Sequence, residues 1–466
     1  MVRDQYFFCG IAGSGMRPLA MYLHGRGCKV SGSDRSFDQG RFSDVAAKLK
    51  ERGIAIFPQD GSGLTFPEQI LVTSSAVEAQ IPDVLAAKTV GAQHKIRAEV
   101  LSDVTNNARL SCGIAGTSGK STTTSMLAHI LVTTGHDPSV VNGAPMLNEL
   151  DADGQPQGWR VGTQGPFVTE VDESDGSIAM YTPSVGVITN ISEDHKSMDE
   201  LDVLFTGYAE RSHEAVLGID SEPVAAIAAR LACDQFKSFG LTSDADFTAG
   251  TIEHSHDGLS TEVRTRAGDT APLHLPMIGT FNISNALAAI AAASFLDVTL
   301  SDACAVLQSF AGTARRLQPV GRAGGVTVID DFAHNPDKIK ASLSTLTEHY
   351  PRLHVMYQPH GYGPLRSMHD LYQKAFASSL RKDDTLTITE PVYFGGTVEP
   401  SEDARLVAEE LSAQGCRACY IAHRDLFAES LEANSGEAVI VMGARDDSLT
   451  PFAQSLVEAI GQKSLS

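Results

Sequence analysis

A short segment rich in glycine and hydroxyl side chains carries the clearest chemistry in this sequence, because it also places a lysine directly before a serine. Its residues are Gly116, Thr117, Ser118, Gly119, Lys120, Ser121 and Thr122. Apolar residues 110–115 predict a buried strand before it, and residues 121–132 predict a helix after it. Backbone N–H groups at such a helix start bind phosphates, Lys120 would offset their charge, and Ser121 would ligate Mg²⁺. We interpret the segment as an ATP-binding loop.

The strict phosphate-loop pattern requires a glycine at position 114, where this sequence has Ile114. A glycine-lysine-serine turn with no nucleotide is therefore the alternative for this motif taken alone. Other residues of the chain have to decide between the two.

Acidic side chains and a histidine follow two further predicted strands. Glu170 ends the run 167–170, and His195 ends a polar stretch after the apolar run 185–189. Ligands of open parallel sheets collect at the carboxyl ends of the strands, where the predicted phosphate loop also lies. We therefore predict that Glu170 and His195 hold a second Mg²⁺, beside the ATP-bound Mg²⁺ that Ser121 would ligate. A solvated loop is the alternative for each acid taken singly.

A second glycine-rich turn follows the first predicted strand. Its candidate binding residues are Gly13, Ser14, Gly15 and Met16, with Asp34 at the end of the next strand. Glycines there let the backbone approach a pyrophosphate at a helix N-terminus. Ala12 replaces the second glycine of the strict dinucleotide pattern, which argues against an NAD-dependent dehydrogenase. We predict a separate nucleoside-diphosphate site, with a turn used only for packing as the alternative.

Composition excludes several classes of function. The 466 residues are 42% hydrophobic, and at ~150 residues per domain they predict about three domains. The net charge of −21 argues against a nucleic-acid partner. The N-terminus has no signal-peptide layout, and the apolar helical stretch at about 286–296 is too short for a membrane span. Seven scattered cysteines suit a reducing compartment, so we expect a cytoplasmic protein without membrane contact.

Three segments of alternating strand and helix patterns divide the chain. We predict domains at 1–107, 108–311 and 312–466, with the polar stretch 102–107 as a linker. The predicted fold class is α/β, with a Rossmann-like first domain, a central phosphate-loop ATPase-type domain and a Rossmann-like third domain.

Taken in order, these motifs resemble those of the Mur ligases over nearly the full chain. The N-terminal turn, Asp34, Ser74 and Ser75 are similar to the family's UDP-sugar site, with Arg97 at its rim. Residues 116–124 resemble the ATP loop of the family, and residues 170–175 and 189–195 resemble its magnesium segments.

The resemblance continues in the C-terminal part of the chain. Residues 279–286, which include Asn282, are similar to the family's adenine-contacting turn and helix. Residues 315–317 and 330–336 resemble the hinge and the ATP-facing loop of the C-terminal domain. This resemblance implies that Arg316, with Arg315 as its substitute, and Asp331 contact the nucleotide.

The resemblance implies an ATP-dependent amide ligase of peptidoglycan precursor synthesis. The carboxylate of a UDP-N-acetylmuramate-type substrate would attack the γ-phosphate of ATP, and an amino acid such as L-alanine would then attack the acyl phosphate. Lys120 and Arg316 would neutralise charge, and His334 would orient the amine or accept its proton. The implied cofactors are ATP and Mg²⁺, and we expect a monomer or a homodimer.

The segment implied to bind the acceptor departs from the family pattern. Alanine-adding members carry Q-P-H-R-Y-[TS]-R, whereas residues 358–364 read Q-P-H-G-Y-G-P. We retain His360 as a binding residue and expect Arg366 to replace the lost charge. Two alternatives stay open: a ligase that adds another amino acid or a preformed peptide, and a non-catalytic paralogue that only binds nucleotides.

Overall fold

The computed structural model describes the chain at residues 4–75, 77–193, 196–232, 234–242, 244–255, 257–392, 402–444 and 446–463. One predicted metal ligand, His195, lies outside the described residues. The chain divides into two compact units, Met1–Thr313 and Ala314–Ser466. The domain ranges 1–107 and 108–311 stay predictions, because the residues up to 313 form one compact unit.

The first sheet belongs to the N-terminal part of the first unit. Its strands are β1 Gln5–Cys9, β2 Lys29–Ser33, β3 Ala55–Phe57, β4 Gln69–Thr73 and β5 Gln93–Ile96. Its helices are α1 Met16–Gly25, α2 Arg35–Asp38, α3 Ser43–Glu51, α4 Pro82–Val90 and α5 Arg97–Asn107. The strands pair in parallel in the order β3-β2-β1-β4-β5. This confirms the doubly wound, Rossmann-like arrangement.

The linker predicted at 102–107 is wrong, because these residues complete helix α5. Its N-terminus is held by the Glu99 carboxylate, which accepts a hydrogen bond from Ile96 N at 2.7 Å. Val100 and Leu101 pack into the core. The misleading polar residues, such as Asp103 and Asn106, lie on the exposed face of the same helix.

The second sheet completes the first unit. Its strands are β6 Ser111–Ala115, β7 Ser139–Leu150, β8 Pro156–Arg160, β9 Phe167–Glu170, β10 Val185–Ile188, β11 Glu214–Gly218, β12 Phe236–Gly240, β13 Phe247–Ala249, β14 Glu253–Ser255, β15 Gly258–Thr265 and β16 Thr270–Leu275. Its helices are α6 Lys120–Thr133, α7 Met198–Arg211, α8 Glu222–Ala228, α9 Phe281–Ala293 and α10 Leu300–Leu307. Strand β6 lies between β9 and β10, parallel to both.

The two sheets of the first unit share one hydrophobic core. This core includes Phe8 from β1 and Val141 from β7, and it brings the rings of Tyr22 and Phe167 to 5.1 Å. Helix α1 thereby packs against the second sheet, which explains why residues up to 313 are one compact unit. The predicted buried helix is confirmed in α9. Within the described residues, no helix has the length and apolarity that a membrane crossing requires.

The second unit contains the third sheet. Its strands are β17 Gln318–Ala323, β18 Val326–Asp331, β19 Leu353–Gln358, β20 Thr385–Thr389, β21 Arg417–Ile421 and β22 Ala438–Gly443. Its helices are α11 Pro336–His349, α12 Tyr362–Ser367, α13 His369–Ser379, α14 Asp403–Ala413, α15 Asp425–Ser430 and α16 Leu449–Lys463. The order is β17-β18-β22-β19-β20-β21, and only the pair β17 and β18 is antiparallel among these described strands.

Candidate active site

The predicted phosphate loop lies at the carboxyl end of β6 and leads into the N-terminus of α6. Gly116 and Gly119 have φ values of 131° and 87°, which favour glycine. A Cβ at either position would also collide with a neighbouring side chain, Thr189 in the first case and Asn285 in the second. Both glycines are therefore needed for conformation and for space, as a loop wrapped closely around phosphates requires.

Residues after β10 hold the loop from one side. Ser118 N donates to Asn190 Oδ1 at 3.0 Å, and Asn190 Nδ2 donates back to Ser118 O at 3.0 Å. The Thr189 hydroxyl also donates to Ser118 O, at 2.7 Å. Ser192 N donates to the Thr117 hydroxyl at 3.0 Å. These bonds fix the backbone of the loop before any ligand binds.

Lys120 lies at the first position of α6 and points across the loop. Its Nζ donates to Gly116 O at 2.6 Å and to Glu173 Oε2 at 2.8 Å. Burial alone would lower the pKa of Lys120, but the negative charges of Glu173, Asp172 and Glu170 outweigh it and raise the pKa. The lysine therefore carries its positive charge at neutral pH, at the place where phosphate charge has to be offset.

Ser121 and Glu170 meet at the same edge of the sheet. The Ser121 hydroxyl donates to Glu170 Oε2 at 2.7 Å. Hydroxyl and carboxylate oxygens suit Mg²⁺, which binds through one or two protein ligands, water and substrate phosphates. No group of three or more His, Cys, Asp or Glu side chains placed to hold a metal occurs in the described part of the chain, which does not include His195. The pair therefore fits Mg²⁺ bound jointly with a nucleotide, and the division of Ser121 and Glu170 between two ions stays a prediction.

Asn282 lies behind the phosphate loop, in the first turn of α9. Its Nδ2 donates to Ile278 O at 2.8 Å, and its Oδ1 accepts from Asn285 Nδ2 at 3.1 Å. Asn285 Oδ1 in turn accepts from the Thr123 hydroxyl of α6 at 3.5 Å. The Asn282 amide is buried, and it supports α6 through these bonds. A contact of Asn282 with ATP stays a prediction.

Asp34 fastens the N-terminal turn. Its Oδ2 accepts from Ala12 N at 3.0 Å, and its Oδ1 accepts from Ser36 N at 2.8 Å as the N-cap of α2. The side chain is buried. Both carboxylate oxygens are thus used inside the protein, and the contact of Asp34 with a substrate stays a prediction.

The other predicted UDP-sugar residues differ in their exposure. Gly13, Ser14 and Ser75 are exposed at the carboxyl ends of β1 and β4, where a ligand can reach them. Met16 is instead buried in the hydrophobic core, and its N–H donates to Gly13 O at 3.0 Å. The place of Met16 in the UDP-sugar site stays a prediction. Ser74 follows β4 and is half-buried.

Arg97 links the N-terminal turn with the acidic segment. Its guanidinium packs beside Gly15, where a Cβ would stand 3.5 Å from Arg97 Cζ. Burial alone would raise the pKa of Asp172, but Lys120, the N–H of Ser174 and Arg97 together lower it. The charge of Arg97 therefore acts on the acidic segment that also binds Lys120. Its place at the rim of the UDP-sugar site stays a prediction.

The second unit places three predicted residues in one row. The Arg316 guanidinium lies 4.7 Å from the ring centre of Phe332, and the Phe332 and His334 rings meet edge to face at 5.4 Å. His360 meets His334 edge to face at 5.1 Å. The segment before β17, the loop after β18 and the loop after β19 thus bring a cation and two imidazoles together.

His334 is held in one tautomer. Its Nδ1 donates to Phe332 O at 3.0 Å, because a carbonyl oxygen can only accept, so Nε2 has the lone pair. Burial, with the nearby charge of Lys338, lowers the pKa of His334 to about 3. The hydroxyls of Tyr357 and Tyr372 donate to His334 O at 3.1 and 2.7 Å. The imidazole is neutral at pH 7 and suits orienting an amine more than strong base catalysis.

Arg315 and Asp331 have roles inside the fold. Arg315 is buried with φ 57°, and it donates to Asp330 Oδ1 at 3.2 Å and to Gly443 O at 2.6 Å. Arg315 as a substitute for Arg316 is therefore wrong. Asp331 accepts from Leu317 N at 3.1 Å and from the Ser342 hydroxyl, so its contact with ATP stays a prediction.

Arg366 lies on helix α12 with an exposed side chain. Its Nε donates to Asp403 Oδ2 at 3.1 Å. An exposed ion pair of this kind breaks at a cost of ~1 kcal/mol or less, so it leaves the arginine available to another carboxylate. The role of Arg366 in acceptor binding stays a prediction.

Several residues of the site were missed from the sequence. Asn190 and Glu173 hold the phosphate loop and its lysine, Phe332 supports Arg316, and the pair Asn142 and Gly143 lies beside Ser121 and Glu170. Glu173 and Asn190 lie in the polar segments that follow strands, which was their available signal. Phe332 lies within the segment 330–336 that resembles the ATP-facing loop, but no role was assigned to it. The Asn142-Gly143 pair gave no signal, because its role depends on contacts between distant segments.

Three domain families match the chain in sequence order. The family described as "Mur ligase family, catalytic domain" matches residues 5–109, "Mur ligase middle domain" matches 114–293, and "Mur ligase, glutamate ligase domain" matches 315–445. These matches follow the order in which the three sheets occur.

Curated relatives align along most of the chain. A UDP-N-acetylmuramate–L-alanine ligase of Geotalea daltonii is 34% identical, covering 95% of each chain, and one of Gloeobacter violaceus is 31% identical, covering 94% of this chain and 92% of its own. Among solved structures, the UDP-N-acetylmuramate–alanine ligase MurC of Thermotoga maritima superposes with a TM-score of 0.80 at 24% identity over 99% of both chains. A murein peptide ligase of Psychrobacter arcticus has a TM-score of 0.70 at 23% identity over 98% of both. The structural likenesses show a shared fold.

Proposed function

Because the chain belongs to the Mur ligase family of ATP-dependent ligases, we propose that it joins the carboxylate of UDP-N-acetylmuramate to the amino group of L-alanine. The full-length similarity to relatives of that name supports these two substrates. We expect the reaction in the cytoplasm, where ATP is available, as a step of peptidoglycan precursor synthesis.

The single observation that carries this proposal is the arrangement of Lys120, Ser121 and Glu170 at the carboxyl edge of the second sheet. The substrate carboxylate attacks the γ-phosphorus of ATP, ADP leaves, and an acyl phosphate forms. The amine of the acceptor then attacks the acyl carbon, and inorganic phosphate leaves as the amide forms and a proton is lost. Both substrates of the first step are anions, so charge neutralisation and positioning dominate catalysis.

We assign the positive charge in the first step to Lys120, whose pKa is raised. Ser121 and Glu170 would hold Mg²⁺, which supplies further charge neutralisation on the phosphates when bound. The preformed loop positions ATP through its backbone N–H groups. We assign the UDP-sugar to the exposed turn of Gly13 and Ser14, with Arg97 between that turn and the acidic segment.

A preformed peptide as the acceptor is the second candidate. The positions at which the family pattern has arginines hold Gly361 and Pro364, and Arg366 is paired with Asp403. A free amino acid presents a carboxylate beside its amine, which arginines bind by charge-assisted hydrogen bonds. The changed loop favours an acceptor that depends less on such a contact.

A competition experiment separates the two acceptors. The protein is incubated with UDP-N-acetylmuramate, ATP, Mg²⁺ and equal concentrations of L-alanine, other amino acids and a murein tripeptide, and the products are identified by mass. We expect the L-alanine adduct as the main product. A main product that carries the tripeptide would support the second candidate, and nucleotide binding without any amide product would support a non-catalytic paralogue.

A further inference from the structure

Two adjacent residues of β7 contact both members of the proposed metal pair. We propose that Asn142 and Gly143 are positioning residues that hold Ser121 and Glu170 together for the binding of metal and ATP. This inference rests on the proposed function and adds two residues to its site. It follows from the position of β7, which pairs with β9 in the sheet and packs against α6.

Asn142 fixes the start of α6. Its Nδ2 donates to Ser121 O at 3.1 Å and to the Ser125 hydroxyl at 3.0 Å. The Ser125 hydroxyl itself donates to Ser121 O at 2.8 Å. Since a carbonyl oxygen only accepts, the Asn142 amide has to present its nitrogen to Ser121. The side chain is 1% exposed, so this bond is held away from water.

Gly143 provides the space that Glu170 occupies. A Cβ at position 143 would overlap Glu170 Oε1. The φ of Gly143 is not in the left-handed region, so size rather than backbone freedom requires glycine here. The overlapping atom is the far end of a flexible side chain, so an alanine would displace the Glu170 carboxylate and leave the backbone in place.

The register of the sheet explains why one dipeptide serves both residues. Strands β7 and β9 pair in parallel with Val141 opposite Thr169. The next step along both strands places residue 142 beside Glu170, while Glu170 lies opposite Ile114 of β6. Ser121 follows β6 by one loop. The register of β7 therefore places Gly143 beside the carboxylate, and the Asn142 side chain reaches the serine.

The direct test is Gly143→Ala, measured as the Mg²⁺ concentration required for binding of a non-hydrolysable ATP analogue in calorimetry. Residues that orient metal ligands typically change metal affinity 10- to 100-fold, so we expect a shift of about 10-fold or more. The matched control is Gly240→Ala on β12, where the Cβ also meets a carboxylate oxygen, Asp220 Oδ1 at 2.8 Å. We expect the control to bind as the unmodified protein does, with both variants keeping a cooperative thermal melt.

A double-mutant cycle identifies the route of the effect. If Gly143 acts through Glu170, then Gly143→Ala has no further effect in a Glu170→Ala background. Equal effects in both backgrounds, or a Gly143→Ala protein with unchanged Mg²⁺ dependence, would overturn the inference. If Glu170→Ala alone leaves the Mg²⁺ dependence unchanged, the proposed metal pair is at fault instead.

Asn142→Leu tests the other half of the proposal. Leucine keeps the side-chain volume and removes the donor to Ser121. We expect Asn142→Leu to weaken the Mg²⁺-dependent binding of the ATP analogue by about 10-fold. The same substitution should have no further effect in a Ser121→Ala background. An Asn142→Leu protein that folds and binds normally would contradict the role of Asn142.

Discussion

At the scale of single residues, Lys120 has the most direct consequence for chemistry. We expect Lys120→Ala to slow amide formation by two to three decades, because the loss of one transition-state charge contact costs about 2.7–4 kcal/mol. The fold should persist, since burial raises the pKa of Glu173 and lets it take up a proton once its partner is gone. Phosphate release and a thermal melt check this. The control is Lys48→Ala, which removes an exposed ion pair with Asp153 at 2.9 Å. Near-normal turnover of the Lys120 variant would refute its role.

His334 makes the stability of the second unit depend on pH. Its folded pKa of about 3 lies below the value of about 6.5 in an unfolded chain, so the unfolded state binds more protons between these values. Stability is therefore full above about pH 6.5 and falls as the pH drops toward 3. Between pH 7 and pH 5 we expect a loss of about 2 kcal/mol from this residue. Urea unfolding at both pH values measures it, and His334→Gln should lose less; an equal loss in both proteins would show that His334 is not responsible.

At the scale of elements, the N-cap of α11 fixes the end of the loop that follows β18. Asn335 Oδ1 caps this helix by accepting from Lys338 N at 2.9 Å, with Pro336 at the first helical position. We expect Asn335→Ala to cost about 1 kcal/mol of unfolding free energy, and Asn335→Asp to cost much less, because aspartate caps equally well. Chemical denaturation of the three proteins tests this. Equal stability of the alanine and aspartate variants would contradict the capping role.

The elements also show what the sequence could predict. The apolar strands predicted at 110–115, 167–170 and 185–189 agree with β6, β9 and β10 to within one residue, because apolar runs and glycine turns are local signals. The segment 102–107 failed because the exposed face of α5 is polar. Arg315 and Arg316 are neighbours, yet Arg315 is buried against Asp330 whereas Arg316 is half-buried and lies over the Phe332 ring. These contacts join segments that are distant in the sequence, so the sequence alone does not separate the two arginines. Gly143 depends on the register of β7 and β9, which no local pattern contains.

At the scale of the whole molecule, the shared core of the first unit decides which fragments fold. Residues 1–313 should melt cooperatively and bind both ATP and the UDP-sugar. Residues 1–107 alone should not melt cooperatively, because Tyr22 would lose its ring contact with Phe167 and Phe8 would lose the part of its core that the second sheet contributes. Circular dichroism melts and calorimetry on both fragments check this. A cooperative melt of residues 1–107 would show that the first sheet needs no support from the second.

The central claim is that a substrate carboxylate attacks the γ-phosphate of ATP on this protein. The most direct measurement uses UDP-N-acetylmuramate labelled with ¹⁸O in its carboxylate, together with ATP, Mg²⁺ and L-alanine, and follows the label by mass spectrometry. An acyl phosphate transfers one carboxylate oxygen to the released phosphate, so we predict one ¹⁸O atom in inorganic phosphate for each amide and each ADP formed. Unlabelled phosphate, or release of AMP and pyrophosphate in place of ADP, would contradict the mechanism.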